Sequence, residues 1–225
     1  MSSQLDRSYL AKMRDDWNAR ARRNAEHYIA DGQIQWDTDE FLASGRTTAA
    51  QDILTDMGNI CRGVDPKNIR VLELGCGIGR VTRALAEIFG SVQGVDVSPE
   101  MISRAKVALE ALPNIKVDVI DGATLESIGA ARFDFAYSCC VFHHISSYEV
   151  IRSLTAEIGE RLEPGSLFKF EVQGCMDVQS PLKDTWLGVP FSLQQAQQLA
   201  DETGFELRYH VGEGEERFWL WFFRK

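Results

Sequence analysis

The stretch VLELGCGIGR, residues 71–80, sets a carboxylate, Glu73, inside an apolar run and follows it with Gly75, Gly77 and Gly79 at alternate positions. Glycines so spaced let backbone approach a ligand closely and turn at once into a helix whose first N–H groups are free. A second acid, Asp96, ends another apolar run in GVDVS. His143 and His144 are adjacent imidazoles, which titrate near neutrality; either could take a proton from a hydroxyl or an amine, or simply pack its loop. Cys139 and Cys140 offer a small strand end rather than a nucleophile. The five cysteines contain no C-x-x-C pair, so neither a disulfide framework nor a zinc site is expected. The histidines have no convergent acids at recognisable spacing, so no catalytic metal is expected either.

These groups need a scaffold that gathers them. The runs IRVLELG, SVQGVDV, NIKVDVI, RFDFAYSC and SLFKFEVQ read as strands alternating with helical segments such as 81–89 and 99–112. That alternation predicts βαβ units and a parallel sheet covered on both faces. In such sheets ligands bind outside the carboxyl ends of the strands, where the glycine loop and both histidines fall. Ser98-Pro99 starts one helix with a cap and a first-turn proline, and Ser192 with Gln195 forms a capping box for another. FELRYHV and RFWLWFFRK close the chain as two strands around the turn GEGEE. Residues 174–190, polar and proline-containing, read as a loop or insert.

Ahead of the alternation, Leu10, Met13, Trp17, Ala21 and Tyr28 recur at helical spacing from Gln4 to about Ala30. Asp37 and Glu40 then open a second helical stretch, expected to break near Gly45. The predicted division is a helical arm over 1–66 and an α/β domain over 67–225. The arm concentrates Arg20, Arg22 and Arg23 beside Trp17 and Tyr28, as a solvated helix face or as part of a pocket.

Composition narrows the partners. With 225 residues, 44% hydrophobic and 25% charged, the chain can bury one substantial core. Its formal net charge of -9 argues against nucleic acid as a partner, since that affinity rests on phosphate neutralisation. No signal peptide or membrane-length apolar run is apparent, so a cytoplasmic protein acting on a small molecule is expected. The pattern specifies no oligomeric state.

The dinucleotide fingerprint requires a third glycine where Arg80 stands, which disfavours NAD. G-x-G-x-G with Glu73 ahead of it and GVDVS at the second strand resembles instead the class I S-adenosylmethionine-dependent methyltransferases. VIDGATL, FDFAYSCCVFHHI and LEPGSLFKFEV agree in order, and the resemblance covers roughly residues 69–225. It implies a doubly wound, mostly parallel seven-stranded α/β sheet of Rossmann-like type with its last strand antiparallel, behind the N-terminal helical arm. It further implies S-adenosylmethionine as cofactor and S-adenosylhomocysteine as product. Gly75, Cys76 and Gly77 would form the cofactor loop, with Cys139 beside it. Glu73 would face the cofactor ammonium and Asp96 its ribose hydroxyls. Val97 and Met101 would pack on adenine, Asp121 would accept from its amino group, and the backbone of Gly122 and Ala123 would meet the ring edge; a simple turn at Asp121-Gly122 is the other reading.

In similar enzymes the segments before the first strand shape the acceptor pocket, which implicates Trp17, Tyr28 and Trp36, with Trp186 on the insert. His143 or His144 would be the base. The expected function is methyl transfer to an oxygen or nitrogen of a small molecule; the alternative is a catalytically silent S-adenosylmethionine-binding module that regulates a partner.

Overall fold

The computed structural model describes residues 5–30, 34–175, 177 and 185–225. Strands β1 (Arg70–Leu74), β2 (Ser91–Asp96), β3 (Ile115–Val119), β4 (Phe133–Ser138), β5 (Leu162–Val172), β6 (Phe205–Val211) and β7 (Phe218–Arg224) form one sheet in the order 3-2-1-4-5-7-6. Strands 1 to 5 pair in parallel, and β7 runs antiparallel between β5 and β6. The order reverses between β1 and β4, so the crevice opens at their carboxyl ends.

Two-residue periodicity sorts the strand side chains between two cores. Val71, Phe135, Tyr137 and Leu167 join one core, and Leu72, Leu74, Ala136, Phe168 and Phe170 the other. Helices α4 (Arg80–Ile88), α5 (Pro99–Ala108), α6 (Tyr148–Arg161) and α7 (Leu193–Glu202) cover the sheet. The predicted caps are present: Ser98 accepts from the Met101 amide, and Ser192 and Gln195 form a reciprocal capping box.

The segment ahead of β1 comprises α1 (Arg7–Ile29), α2 (Thr38–Asp52) and α3 (Met57–Cys61). Helix α2 continues through Gly45, contrary to the expected break. A Cβ there would strike the backbone carbonyl of Arg80, so this glycine serves the close packing of α2 on α4. The break falls instead after Asp52, in a 3-10 turn at Leu54–Asp56. Ala49, Ile53, Ile60 and Cys61 share a core with Val71, Val81 and Phe135, which makes α2 and α3 part of the covering layer.

Helix α1 is placed differently. It kinks at Asn24, whose Oδ1 accepts from the His27 amide and caps the helix anew. Three contacts dock it across the carboxyl edge of the sheet. Tyr9 Oη accepts from the Ser146 amide at 2.8 Å. Asn18 Oδ1 accepts from Ser98 Oγ at 2.7 Å and from the Glu100 amide at 3.1 Å. Arg20 donates to the Thr185 carbonyl and hydroxyl, both at 3.1 Å. Among the described residues no helix is long and apolar enough to cross a membrane.

Candidate active site

An apolar cavity lies where β1, β2 and β4 end. Its floor is Glu73, Leu74, Gly75, Cys76 and Gly77, its sides include Asp96, Val97, Met101, Gly122, Cys139 and Cys140, and α1 closes it with Met13, Trp17, Tyr28 and Ile29. The turn after β1 is fixed from below, as the Gly75 and Cys76 amides both donate to the Val95 carbonyl, at 2.7 and 3.1 Å. Gly77 takes a left-handed φ of 53°, and a Cβ there would lie 3.2 Å from the Ile29 side chain. Its amide donates to Asp96 Oδ2 at 3.0 Å, and the Ser98 amide donates to Oδ1 at 2.8 Å. Asp96 thus stands upright at the end of β2, with lone pairs left on the cavity side.

Both acids are under electrostatic stress. Burial pushes the Glu73 carboxyl up to about 7; Thr82 and the positive Arg80 pull it down, and Asp96 pushes it further up. Among the described residues no hydrogen bond reaches Glu73 Oε2, although the residue is only 4% exposed. Burial likewise raises Asp96 to about 6 against the pull of its amide donors. An orphaned carboxylate oxygen bordering a cavity calls for a cation. Arg80, which donates to Thr48 Oγ1 at 3.0 Å, borders the same space and could meet a ligand carboxylate.

The histidines occupy a different place from the one expected. His143 and His144 sit in a 3-10 turn, each 7% exposed, and neither borders the cavity. His144 Nδ1 lies 2.5 Å from the Trp186 carbonyl, an acceptor only, so this nitrogen carries a proton. Burial and the neighbouring His143 lower His144 to about 3, which keeps its ring neutral. Its Nε2 then accepts from His143 Nε2 at 2.9 Å. His143 Nδ1 faces Glu171 Oε1 at 3.2 Å, off the line of a well-formed hydrogen bond. Neither ring presents a lone pair to the cavity, which corrects their expected role as the base.

The other expected residues divide. Trp17, Tyr28, Val97, Met101, Gly122 and Cys139 meet at the cavity. Trp186 stands behind that wall, with ring centroids 4.6 Å from His144, 5.9 Å from Tyr28 and 6.4 Å from Trp17. Trp36 packs on Phe41 and borders a separate cleft against α4, away from the cavity. Asp121 is exposed and turned away, its Oδ1 accepting from the Ala123 and Thr124 amides at 2.8 and 2.7 Å, so the simple turn describes it and its Ala123 neighbour. Arg20 is committed to Thr185 and lies over the Trp17 and Trp186 rings. Of the insert expected at 174–190, residues 176 and 178–184 lie outside the described residues. Its return is pinned where the Gly188 amide donates to the His143 carbonyl and that of Val189 to Ile145. Sequence reasoning missed Glu171, which its spacing from the cysteines and histidines conceals.

Residues 71–165 match a family of methyltransferase domains. The chain is 32% identical over 152 residues to the trans-aconitate 2-methyltransferase of Streptomyces avermitilis, covering 64% of this chain and 53% of that protein. It is 32% identical over 103 residues to the ubiquinone biosynthesis O-methyltransferase of Cereibacter sphaeroides, covering 45% and 40%. The chain therefore spans about half, or less, of these relatives. The fold is similar to magnesium protoporphyrin IX methyltransferase from Synechocystis PCC 6803, crystallised with S-adenosylmethionine, at 17% identity, a TM-score of 0.68 and full coverage of both chains. Residues 71–165 thus match a methyltransferase-domain family, on a fold shared with a methyltransferase crystallised with S-adenosylmethionine. The orphaned Glu73 oxygen, the upright Asp96 and the close glycine backbone are groups that would fit the S-adenosylmethionine bound in that structure.

Proposed function

We propose that the protein transfers the methyl group of S-adenosylmethionine to an oxygen or nitrogen of a small molecule. The observation that carries this reading is Glu73 Oε2, buried at the cavity without a partner two residues before a glycine turn that Asp96 braces. Glu73 and Arg80 would hold the amino and carboxylate groups of the methionine end, and Asp96 the ribose hydroxyls. Val97, Met101 and the Gly122 backbone would flank the adenine. The bound cofactor supplies an electrophilic methyl carbon, and the chain positions an acceptor against it and keeps water out. Such positioning is worth about 7–11 kcal/mol of barrier, enough to carry catalysis without a dedicated base.

Within the segment proposed as an arm, α1 is the cap, because it closes the cavity with Met13, Trp17, Tyr28 and Ile29. Trp17 and Tyr28 form the acceptor wall on this reading, with Trp186 behind them. One relative's name specifies O-methylation, which supports oxygen as the acceptor atom. The test is S-adenosylhomocysteine production across a panel of small carboxylates, phenols and amines. Product with one class establishes the reaction. Tight cofactor binding with no product from any class would make the chain a silent binding module.

A further inference from the structure

Successive side chains of an extended strand point to opposite faces. Just beyond β4, the left-handed backbone of Cys140, at φ 59°, departs from that rule, and the sulfurs of Cys139 and Cys140 lie 3.6 Å apart. Both residues border the cavity at the carboxyl ends of β1, β2 and β4. A carboxylate reaches them from β5: the parallel register pairs Tyr137 with Lys169, and its continuation brings Cys139 level with Glu171. One Glu171 oxygen and both sulfurs all fall within 4.8 Å of one another. Glu171 is fully buried, the Cys140 amide fixes its Oε1 at 2.6 Å, and Oε2 lacks a hydrogen-bond partner among the described residues.

We propose that Cys139, Cys140 and Glu171 form a site for a thiophilic divalent cation of the zinc type, with its fourth coordination position open to the cavity. Two thiolates bound tetrahedrally at about 2.3 Å stand about 3.8 Å apart, close to the spacing already present. Two thiolates and a carboxylate exceed the charge of a divalent ion by about one unit, and Arg217 Nε, 4.0 Å from Glu171 Oε2, faces that excess. Three protein ligands with one open position is the pattern of catalytic rather than structural zinc. An acceptor oxygen entering that position would be polarised as zinc polarises bound water, a service neither histidine can provide. This role rests on the methyl-transfer reading; cation binding does not. The proposed site runs against the expectation of no metal. Glu171 comes from the next strand by register, so no ligand spacing marks it in the sequence.

Cobalt(II) is the probe, added to the full-length reduced protein while absorbance is followed. The expected result is a near-ultraviolet sulfur-to-cobalt charge-transfer band that saturates at one equivalent. It should vanish in Cys139→Ser and Cys140→Ser and persist in Cys175→Ser, whose sulfur lies instead near the Gly214 carbonyl. Glu171→Gln should weaken cobalt binding by at least ~10–100-fold, the cost of losing even a supporting group. If Glu171→Gln fails to fold, Cys140→Ser decides. No band at stoichiometric cobalt, or a band that survives Cys140→Ser, overturns the site. Calorimetry of S-adenosylhomocysteine with the wild-type protein separates the two readings: binding without the band rejects the cation site alone, and the band without binding rejects the cofactor reading alone.

Discussion

Glu73 on β1 and Glu171 on β5 are both buried glutamates near the carboxyl edge of one sheet, and each has an Oε2 without a hydrogen-bond partner. Their surroundings answer burial in opposite ways. Burial would raise Glu171 as it raises Glu73, but His143, Arg217 and the Cys140 amide outweigh it and hold Glu171 below the ordinary glutamate value. Around Glu73, Arg80 and Thr82 do not compensate, and Asp96 adds repulsion, so it rises to about 7. The chain keeps one acid ionised, as a cation ligand must be, and leaves the other to be neutralised by what enters the cavity. A carboxylate that its own protein does not satisfy is a binding site before any ligand is named.

The largest expected effect is on the Glu171 side. Glu171→Ala removes the acid that His143 and the half-exposed Arg217 face and leaves the Cys140 amide without its charged acceptor, at a cost of about 1.5–3 kcal/mol. Chemical denaturation at neutral pH should show that loss. The Glu171 contribution exists above the unfolded glutamate value and fades as pH falls through its lower folded value, so the variant and wild type should converge in acid. A loss under ~1 kcal/mol would erase the contrast between the two glutamates.

Glu73→Gln should act in the other direction. A carboxyl near 4.5 unfolded and about 7 folded favours folding at low pH, and that contribution is lost as pH rises through 7. Without ligand, the glutamine variant should therefore be more stable than wild type at pH 8, by up to about 3 kcal/mol at roughly 1.4 kcal/mol per unit, and equal to it below pH 4.5. The same variant should bind S-adenosylhomocysteine more weakly, because the ammonium loses its partner. Thermal unfolding with and without ligand reads both arms, and a destabilised free variant would remove Glu73 from the ligand-awaiting class. Asp96→Asn should keep its turn and weaken S-adenosylhomocysteine by about 1.5–3 kcal/mol, the scale of hydrogen bonds to a charged group. Calorimetry showing unchanged affinity would take Asp96 out of the ribose contact.

Legibility divides along the same line. The Glu73 side is written in consecutive residues, since β1, the glycine turn and α4 follow one another and Asp96 ends the next strand; strand pattern and turn chemistry locate them. The Glu171 side is assembled by register. Glu171 meets residues about thirty positions earlier only because β4 and β5 pair, and nothing in FKFEV distinguishes a site acid from a strand residue. Trp36 and Trp17 look alike in sequence, yet only Trp17 lies on the helix that crosses the cavity. Gly45 reads as a helix breaker until Arg80 is brought against it. Local chemistry was readable, and what depended on a partner distant in sequence was not.

The smallest expected effect is the most direct test of an acid in waiting. Below pH 7 Glu73 in the free protein holds a proton that must leave before it can pair with the ligand's ammonium, so binding releases a proton. The affinity for S-adenosylhomocysteine should then fall by up to about tenfold, or 1.4 kcal/mol, for each pH unit below 7, and more steeply below about 6, where Asp96 also protonates. His144 stays neutral through this window and contributes no step. Calorimetry at pH 6.5 in buffers of different ionisation enthalpy should find close to one proton released. Glu73→Gln should abolish the release near pH 7 and keep the Asp96 step. A wild-type affinity flat from pH 6 to 7.5 would mean that Glu73 is ionised before the ligand arrives, and that the two glutamates differ in surroundings but not in charge.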